Sequence, residues 1–202
     1  GPTNMCVECD DTGDCTGGEV CDNYECKLPG KLVINEVDYD QPGTDLNEFL
    51  EILNVGEMPF DLTTATLELV NGSGGAVYAT ILLSANTQSA TVLNPGQYLI
   101  YGAPTVTSTA PIDCLTIDAG AQDNIQNGSP DGARIKVDDL VVEGVHYEGT
   151  MPGVGEGTSA PTETNTPPNL SISRCPNGAD TDDNGVDFIL TTPTPGAVNI
   201  CP

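Results

Sequence analysis

The sequence predicts an all-β fold, a sandwich or barrel of short strands, and two observations carry that prediction. Gly (23) and Pro (16) are spread along the chain without a period, often in steps such as Asn71-Gly72, Asn127-Gly128, Pro130-Asp131-Gly132 and Pro195-Gly196. These are turn residues, and turns repeated at short intervals separate short strands. The second observation is that no stretch keeps a helical period beyond about two turns. With 202 residues the chain is long enough to bury a core. Three Phe and no Trp mean that this core is built mainly from Val, Ile and Leu.

In chain order, Gly1-Pro2 reads as the scar of a protease used to remove a tag. The natural chain is therefore expected to begin earlier, with an export signal, and to belong to a longer multidomain protein. Eight cysteines, five of them within the first 26 residues, point to an oxidising compartment. Residues 6–26 are too short and polar to hold themselves by apolar burial, so disulfides must do it. Zinc fits poorly, because the single histidine, His146, is far downstream and paired C-x-x-C knuckles are missing. Cys9, Cys15, Cys21 and Cys26 are separated by five, five and four residues. That spacing resembles the small C-x5-C-x5-C-x4-C repeats of secreted proteins of myxobacteria and their relatives. The resemblance implies a pairing of Cys9 with Cys21 and Cys15 with Cys26.

Leu28-Pro29-Gly30 breaks the chain, giving a cysteine-rich module over 1–30 and a β-domain over 31–202. Strands are expected at 32–39, 48–54, 65–70, 76–83, 97–101, 114–117, 133–138, 141–147, 170–174 and 186–190. A flexible hairpin loop spans 71–75, and a tight hairpin is centred on Asp138-Asp139. In the second strand Phe49, Glu51 and Leu53 face one way and Glu48, Leu50 and Ile52 the other. A glutamate on an otherwise apolar face sits at the rim or pairs with backbone donors or a cation. Residues 102–111 and 148–168, rich in Pro, Thr, Ser and Gly, read as surface excursions, the second being a mobile inert loop in preference to a binding loop.

Thirty acidic residues against five basic ones give a net charge of −25. The cations Lys27, Lys31, Arg134, Lys136 and Arg174 are scattered, so no basic footprint is available for nucleic acid or an anionic membrane. No apolar stretch approaches the ~20 residues that span a bilayer. The acidity serves solubility or gathers divalent cations.

Several segments together resemble the lamin tail domain: L-V-I-N-E-V-D-Y (32–39), N-E-F-L-E-I-L-N-V-G (47–56), P-F-D-L (59–62), D-G-A-R-I-K-V (131–137), V-E-G-V-H-Y (142–147), S-I-S-R (171–174) and D-F-I-L-T-T-P-T-P-G-A-V-N (187–199). The resemblance covers most of 31–200. It implies an immunoglobulin-like β-sandwich of the bacterial exported branch, where such domains stand alone, recur in surface proteins or accompany hydrolases. The scaffolding and chromatin roles of nuclear lamins are not carried over.

Asp180, Asp182 and Asn184 followed by Gly185 have the D-x-D-x-N-G opening of a calcium loop, in which alternate oxygens reach one ion and Gly permits the sharp turn. The Val186 carbonyl would add a ligand. The twelfth position is Thr191 and not the bidentate Glu, so the closing oxygen must come from Asp187 or from a carboxylate elsewhere, for example Glu36, Asp38, Glu48 or Glu51. An acidic surface turn is the plain alternative. Glu8 to Asp14 offers a weaker set of the same residue types. His146 is expected to be a surface or packing residue, since no nucleophile or metalloprotease motif accompanies it. Of the remaining cysteines, Cys114 with Cys175 and Cys6 with Cys201 is the preferred arrangement, other pairings staying open. Each such bond closes a long loop and adds ~4 kcal/mol if unstrained. The expected protein is a non-enzymatic extracellular or cell-surface structural or adhesion module, stabilised by calcium, that meets an extracellular protein or polysaccharide. The alternative is an accessory module that binds the substrate of a larger secreted hydrolase.

Overall fold

The computed structural model describes residues 8–121 and 123–202; Gly1, Pro2 and Cys6 lie outside them. The N-terminal module is a hairpin, β1 (Val20–Asp22) with β2 (Glu25–Lys27), stapled by Cys9–Cys21 and Cys15–Cys26. Its carboxylates cap backbone. Asp14 Oδ2 accepts from the amides of Asp10 (2.8 Å) and Asp11 (3.2 Å), and Glu8 Oε2 accepts from Cys26 N (3.2 Å).

The β-domain is a sandwich. Its strands are β3 (Leu32–Asp38), β4 (Phe49–Asn54), β5 (Phe60–Asp61), β6 (Ala65–Asn71), β7 (Ala76–Leu82), β8 (Val92–Leu93), β9 (Tyr98–Gly102), β10 (Leu115–Asp118), β11 (Asp131–Val137), β12 (Leu140–Tyr147), β13 (Ser171–Arg174) and β14 (Phe188–Thr191). One sheet runs β10-β9-β4-β3-β13-β14 and the other β12-β11-β6-β7, with β5 and β8 pairing separately. All pairs are antiparallel except β10 with β9. Ile34, Val37, Leu50, Ile52 and Ile172 of the first sheet meet Leu67, Leu69, Ala133, Ile135 and Val145 of the second in one buried core, the packing that alternation along each strand requires. All ten expected strands form. The strands not foreseen, β1, β2, β5 and β8, are two or three residues long, too short to display a period. The hairpin at Asp138-Asp139 has both residues at positive φ, 47° and 67°, between the paired Val137 and Leu140, the geometry of a two-residue primed turn.

The register slips between Ile34 and Glu36 in the pairing of β3 with β4. This bulge lets Asn35 and Glu36 both leave the core while Ile34 and Val37 on either side stay within it. On β4, Leu50 and Ile52 enter the core, whereas Phe49 packs outside with Ile100, Val106 and Cys114, beside the short helix α1 (Pro104–Thr107). The outer face of the sheet is thus a second, partly polar interior.

The C-terminal residues 192–201 cross that face as a strap. Thr194 donates to Glu36 through both its amide and its hydroxyl (2.9 Å each), and Gly196 N donates to Glu51 (2.6 Å). Asn199 Nδ2 returns to the Asn35 carbonyl (3.2 Å) and the Arg174 carbonyl (2.9 Å). Gly196 has φ +79°, and a Cβ there would lie 2.8 Å from Cys114 Sγ. Only glycine supplies that turn at that distance.

The strap corrects two disulfide expectations. Cys175 bonds Cys201, not Cys114, and Cys201 is therefore unavailable to Cys6. The cause is topological. β10, which follows Cys114, is four strands away from β13, which precedes Cys175. At ~4.8 Å per strand that is roughly 19 Å, far beyond the Cα separation a disulfide tolerates. The returning strap brings Cys201 to a Cα distance of 5.6 Å from Cys175. Cys114 is a buried free thiol whose Sγ lies 3.8 Å from the Gly196 carbonyl.

Candidate functional site

Arg174 ends β13 with no solvent-exposed side-chain surface, and the sandwich is built around its charge. Nε donates to the Ile34 carbonyl (2.8 Å), Nη1 to the Ala179 carbonyl (2.9 Å) and Asp187 Oδ2 (2.8 Å), and Nη2 to Glu143 Oε1 (2.7 Å). Asp180 Oδ1 is 3.3 Å from Nη1 and Glu156 Oε2 3.8 Å from Nη2. The guanidinium carbon lies 4.6 Å from the centre of the Phe188 ring, a cation–π contact. Asp180 Oδ2 also pairs with Lys31 Nζ (2.7 Å). Four carboxylates therefore surround two cations, and anionic charge is in excess.

Three segments supply the acids. Glu143 comes from β12, Asp180 and Asp187 from the stretch between β13 and β14, and Glu156 from the 148–168 excursion. A Cβ at Gly144 would lie 1.7 Å from the Val154 carbonyl, so glycine is what allows the excursion to lie against β12. Burial pushes the Glu143 carboxyl up to about 8, against the pull of Arg174. Burial, with Asp180 nearby, pushes Glu156 up to about 7. At Asp180 burial works the same way, but Lys31 and Arg174 prevail and hold it below its ordinary value.

The residues of the expected calcium loop are distributed differently from an alternating ligand set. Asp187 accepts from Arg174 and, through both oxygens, from Thr181 (2.9 and 2.7 Å). The Asn184 side chain accepts at Oδ1 from His146 N (3.1 Å) and Glu156 N (2.9 Å), and its Nδ2 donates to the Gly144 carbonyl (2.9 Å). Asn184 is thus a buried clamp joining β12, the excursion and the helical turn α2 (Asn184–Asp187). Asp182 is exposed at φ 58°, and Val186 is exposed. The neighbours the fold brings to Asp180 are Glu143 and Glu156: one oxygen from each of the three lies within 4.8 Å of the others.

Glu36, Asp38, Glu48 and Glu51 are not among those neighbours. Glu36 and Glu51 are cross-strand partners beneath the strap. Glu36 accepts from the Ser171 hydroxyl and from Thr194, and Glu51 from Asn35 Nδ2 (2.8 Å) and Gly196 N. Asp38 accepts from Gln41 (3.0 Å) and Asn169 (2.8 Å), and Glu48 from Asn124 N (2.7 Å). Burial raises Glu51 to about 8, and Asp38 and Glu48 to about 7. Glu51 and Glu48 take the backbone donors that the sequence offered them as one alternative.

Glu143, Glu156 and Glu163 escaped the sequence reading. Glu163 sits in a run of Thr and Pro and accepts from three buried amides, Tyr39 N (2.8 Å), Asp40 N (2.9 Å) and Ile172 N (3.0 Å). It anchors the excursion that composition alone describes as a mobile loop. The usable signal was a lone Glu in each of two unlike settings, an apolar strand (V-E-G-V) and a polar loop (T-E-T).

His146 is buried, with Nδ1 accepting from Met151 N (3.3 Å). All five cations are ion-paired: Lys27 to Asp22, Lys31 to Asp180, Arg134 and Lys136 to Glu68, and Arg174 as above. Among the described residues no helix is long and apolar enough to cross a membrane. Comparison with protein-family models finds no match, and comparison with curated proteins finds none either.

Proposed function

We propose that this chain is a non-enzymatic extracellular or cell-surface module of the lamin-tail kind, a structural spacer or adhesion unit stabilised by calcium drawn to the acidic loop at 180–187. The observation that carries the reading is the use to which the resembling motifs are put. Asn35 and Glu36 of I-N-E, Glu51 of the E-F-L-E strand, Ser171 of S-I-S-R, and Thr194, Gly196 and Asn199 of the closing stretch bond to one another beneath the strap. Asn35, Glu36, Glu51 and Ser171 lie buried in the sheet, and Thr194, Gly196 and Asn199 of the strap close over them. A concavity of about 540 Å³ is lined by Leu53, Asn54, Tyr98, Asn177 and Val198 among others, and by no carboxylate, histidine or cysteine, so it offers no acid–base pair. Three disulfides among the described residues suit a protein exported to an oxidising compartment.

The test couples two measurements on the purified chain. Beads coated with it should be retained on an extracellular protein or polysaccharide surface in calcium and released by chelator. A panel of chromogenic ester, phosphate and glycoside substrates should show no turnover; turnover that co-purifies with the folded protein through successive columns would overturn the reading. The alternative, an accessory module that binds a hydrolase substrate, is favoured by one observation, Tyr98 beside Asn177 in the concavity (hydroxyl to Nδ2, 3.4 Å), an aromatic with a neighbouring amide. Glycan binding that Tyr98→Ala abolishes would select it.

A further inference from the structure

We propose that Glu143, Glu156 and Asp180 form a divalent-cation site and that calcium is the ion it takes. This rests on the calcium-stabilised reading above and deepens it, because it moves the ligands away from the alternating positions of the loop. The first ground is spacing. One carboxylate oxygen from each residue lies within 4.8 Å of the others, the separation that opposite ligands of one calcium reach at roughly 2.4 Å per bond.

The second ground is an unanswered oxygen. Glu143 has no exposed side-chain surface. Arg174 occupies Oε1, yet Oε2 is buried without a hydrogen-bond partner among the described residues. Glu156 Oε2 is likewise without a hydrogen bond, its cationic neighbour being Arg174 Nη2 at 3.8 Å. A buried anionic oxygen without a donor is costly, and a cation is the partner that answers two such oxygens at once.

Charge and access complete the case. With all four carboxyls ionised, as a bound cation would hold them, Glu143, Glu156, Asp180 and Asp187 against Arg174 and Lys31 leave two negative charges, the complement of one divalent ion. Arg174 closes the inner side, while Glu156 keeps 21% of its side-chain surface exposed and Asp180 7%, so solvent reaches the cluster on the Glu156 side. Three carboxylates with no nitrogen or sulfur donor select a hard cation. Ligands contributed by a strand and two loops suit the adaptable coordination of calcium better than the strict octahedron of magnesium.

The experiment is calorimetric titration of chelated full-length chain with calcium, with magnesium as control, and melting followed in parallel. One site is expected, with a dissociation constant on the order of 10⁻⁴ to 10⁻³ M, as in extracellular modules, and a melting point that rises with calcium. Glu156→Gln, on the water side, should weaken calcium at least about tenfold while leaving the chelated melting point near wild type. Glu143→Gln, which keeps an oxygen for Arg174, should show the same loss and serves as second variant should the first not fold. Asp182→Asn, in the loop but outside the three, should bind as wild type does. Binding that survives both Gln variants, or that Asp182→Asn removes, overturns this site and leaves the calcium-stabilised module standing. Absence of any calcium binding by the folded wild type removes both, a proton then being what neutralises the buried oxygens.

Discussion

Two groups of buried carboxylates, on the outer face of the six-stranded sheet and between the two sheets' ends, are stabilised by opposite means. Beneath the strap, Glu36 and Glu51 lie side by side without a cation and are answered by hydroxyls and amides from β13, Asn35 and the strap. Around Arg174, Glu143 and Asp187 are answered by a guanidinium, and at Glu143 one oxygen is left over. Neutral donors arrive in number because a crossing chain brings one amide per residue. A single guanidinium has a fixed fork and must be shared. The first arrangement is saturated and closes the fold; the second leaves an oxygen of Glu143 unanswered.

The largest effect should follow removal of the cation. Arg174→Met should destabilise by about 3–5 kcal/mol, since Glu143 and Asp187 would be left buried without their partner. Urea denaturation measures it. The double variant Arg174→Met/Glu143→Gln should recover part of the loss, and a double variant no better than the single would show that Glu143 contributes nothing to the strain.

Next in size is the strap. Cys201→Ser opens a bond between residues 26 apart and should cost about 3 kcal/mol, read as a lower melting point under non-reducing conditions. An unchanged melting point would mean that the hydrogen bonds of Thr194, Gly196 and Asn199 hold the strap without it.

The pH dependence sharpens the same contrast. Burial, then the neighbouring Glu36, raise Glu51 to about 8 from the ordinary 4.5, so the folded chain holds a proton that the unfolded chain releases. The resulting stability is complete below about 4.5 and is lost as pH rises through about 8. The urea midpoint should therefore fall between roughly pH 5 and pH 9, by the equivalent of at least about 1 kcal/mol. Glu51→Gln should reduce that fall, the remainder belonging to groups that burial also raises, Glu143, Glu156, Asp38 and Glu48 among them; a slope identical to wild type would place the titration elsewhere.

The smallest effect should come from Asp182→Asn. Its side chain is exposed, and a change there should stay within about 0.5 kcal/mol. A larger loss in chelator would reveal a structural role for the loop beyond its contacts with Arg174.

The strands were legible because alternation survives in seven-residue segments such as 65–71 and 131–137. The polar positions were legible as anomalies: Glu51 on an apolar strand demanded a donor, and Gly196 in a Pro-Gly step marked the turn it makes. The donors themselves were not. That Thr194 meets Glu36 across 158 residues depends on the strap crossing the sheet, and a local pattern has no information at that range. The calcium motif shows the same limit from the other side. Residue types at positions 180 to 187 suit a loop around an ion, but Arg174 takes Asp187, and backbone amides of β12 and the excursion take Asn184.

The all-β class, the lack of a clustered basic footprint and turns such as Asp138-Asp139 and Pro195-Gly196 could be read from the sequence. Each follows from composition, or from patterns two to six residues long, which act through local backbone geometry and solvation. Tertiary structure settled the partner of Cys175, which carboxylates keep an oxygen without a hydrogen bond, and which loop is anchored. Those outcomes depend on strand order and on the path of the strap, and both are set by burying one common core rather than by any neighbour in sequence.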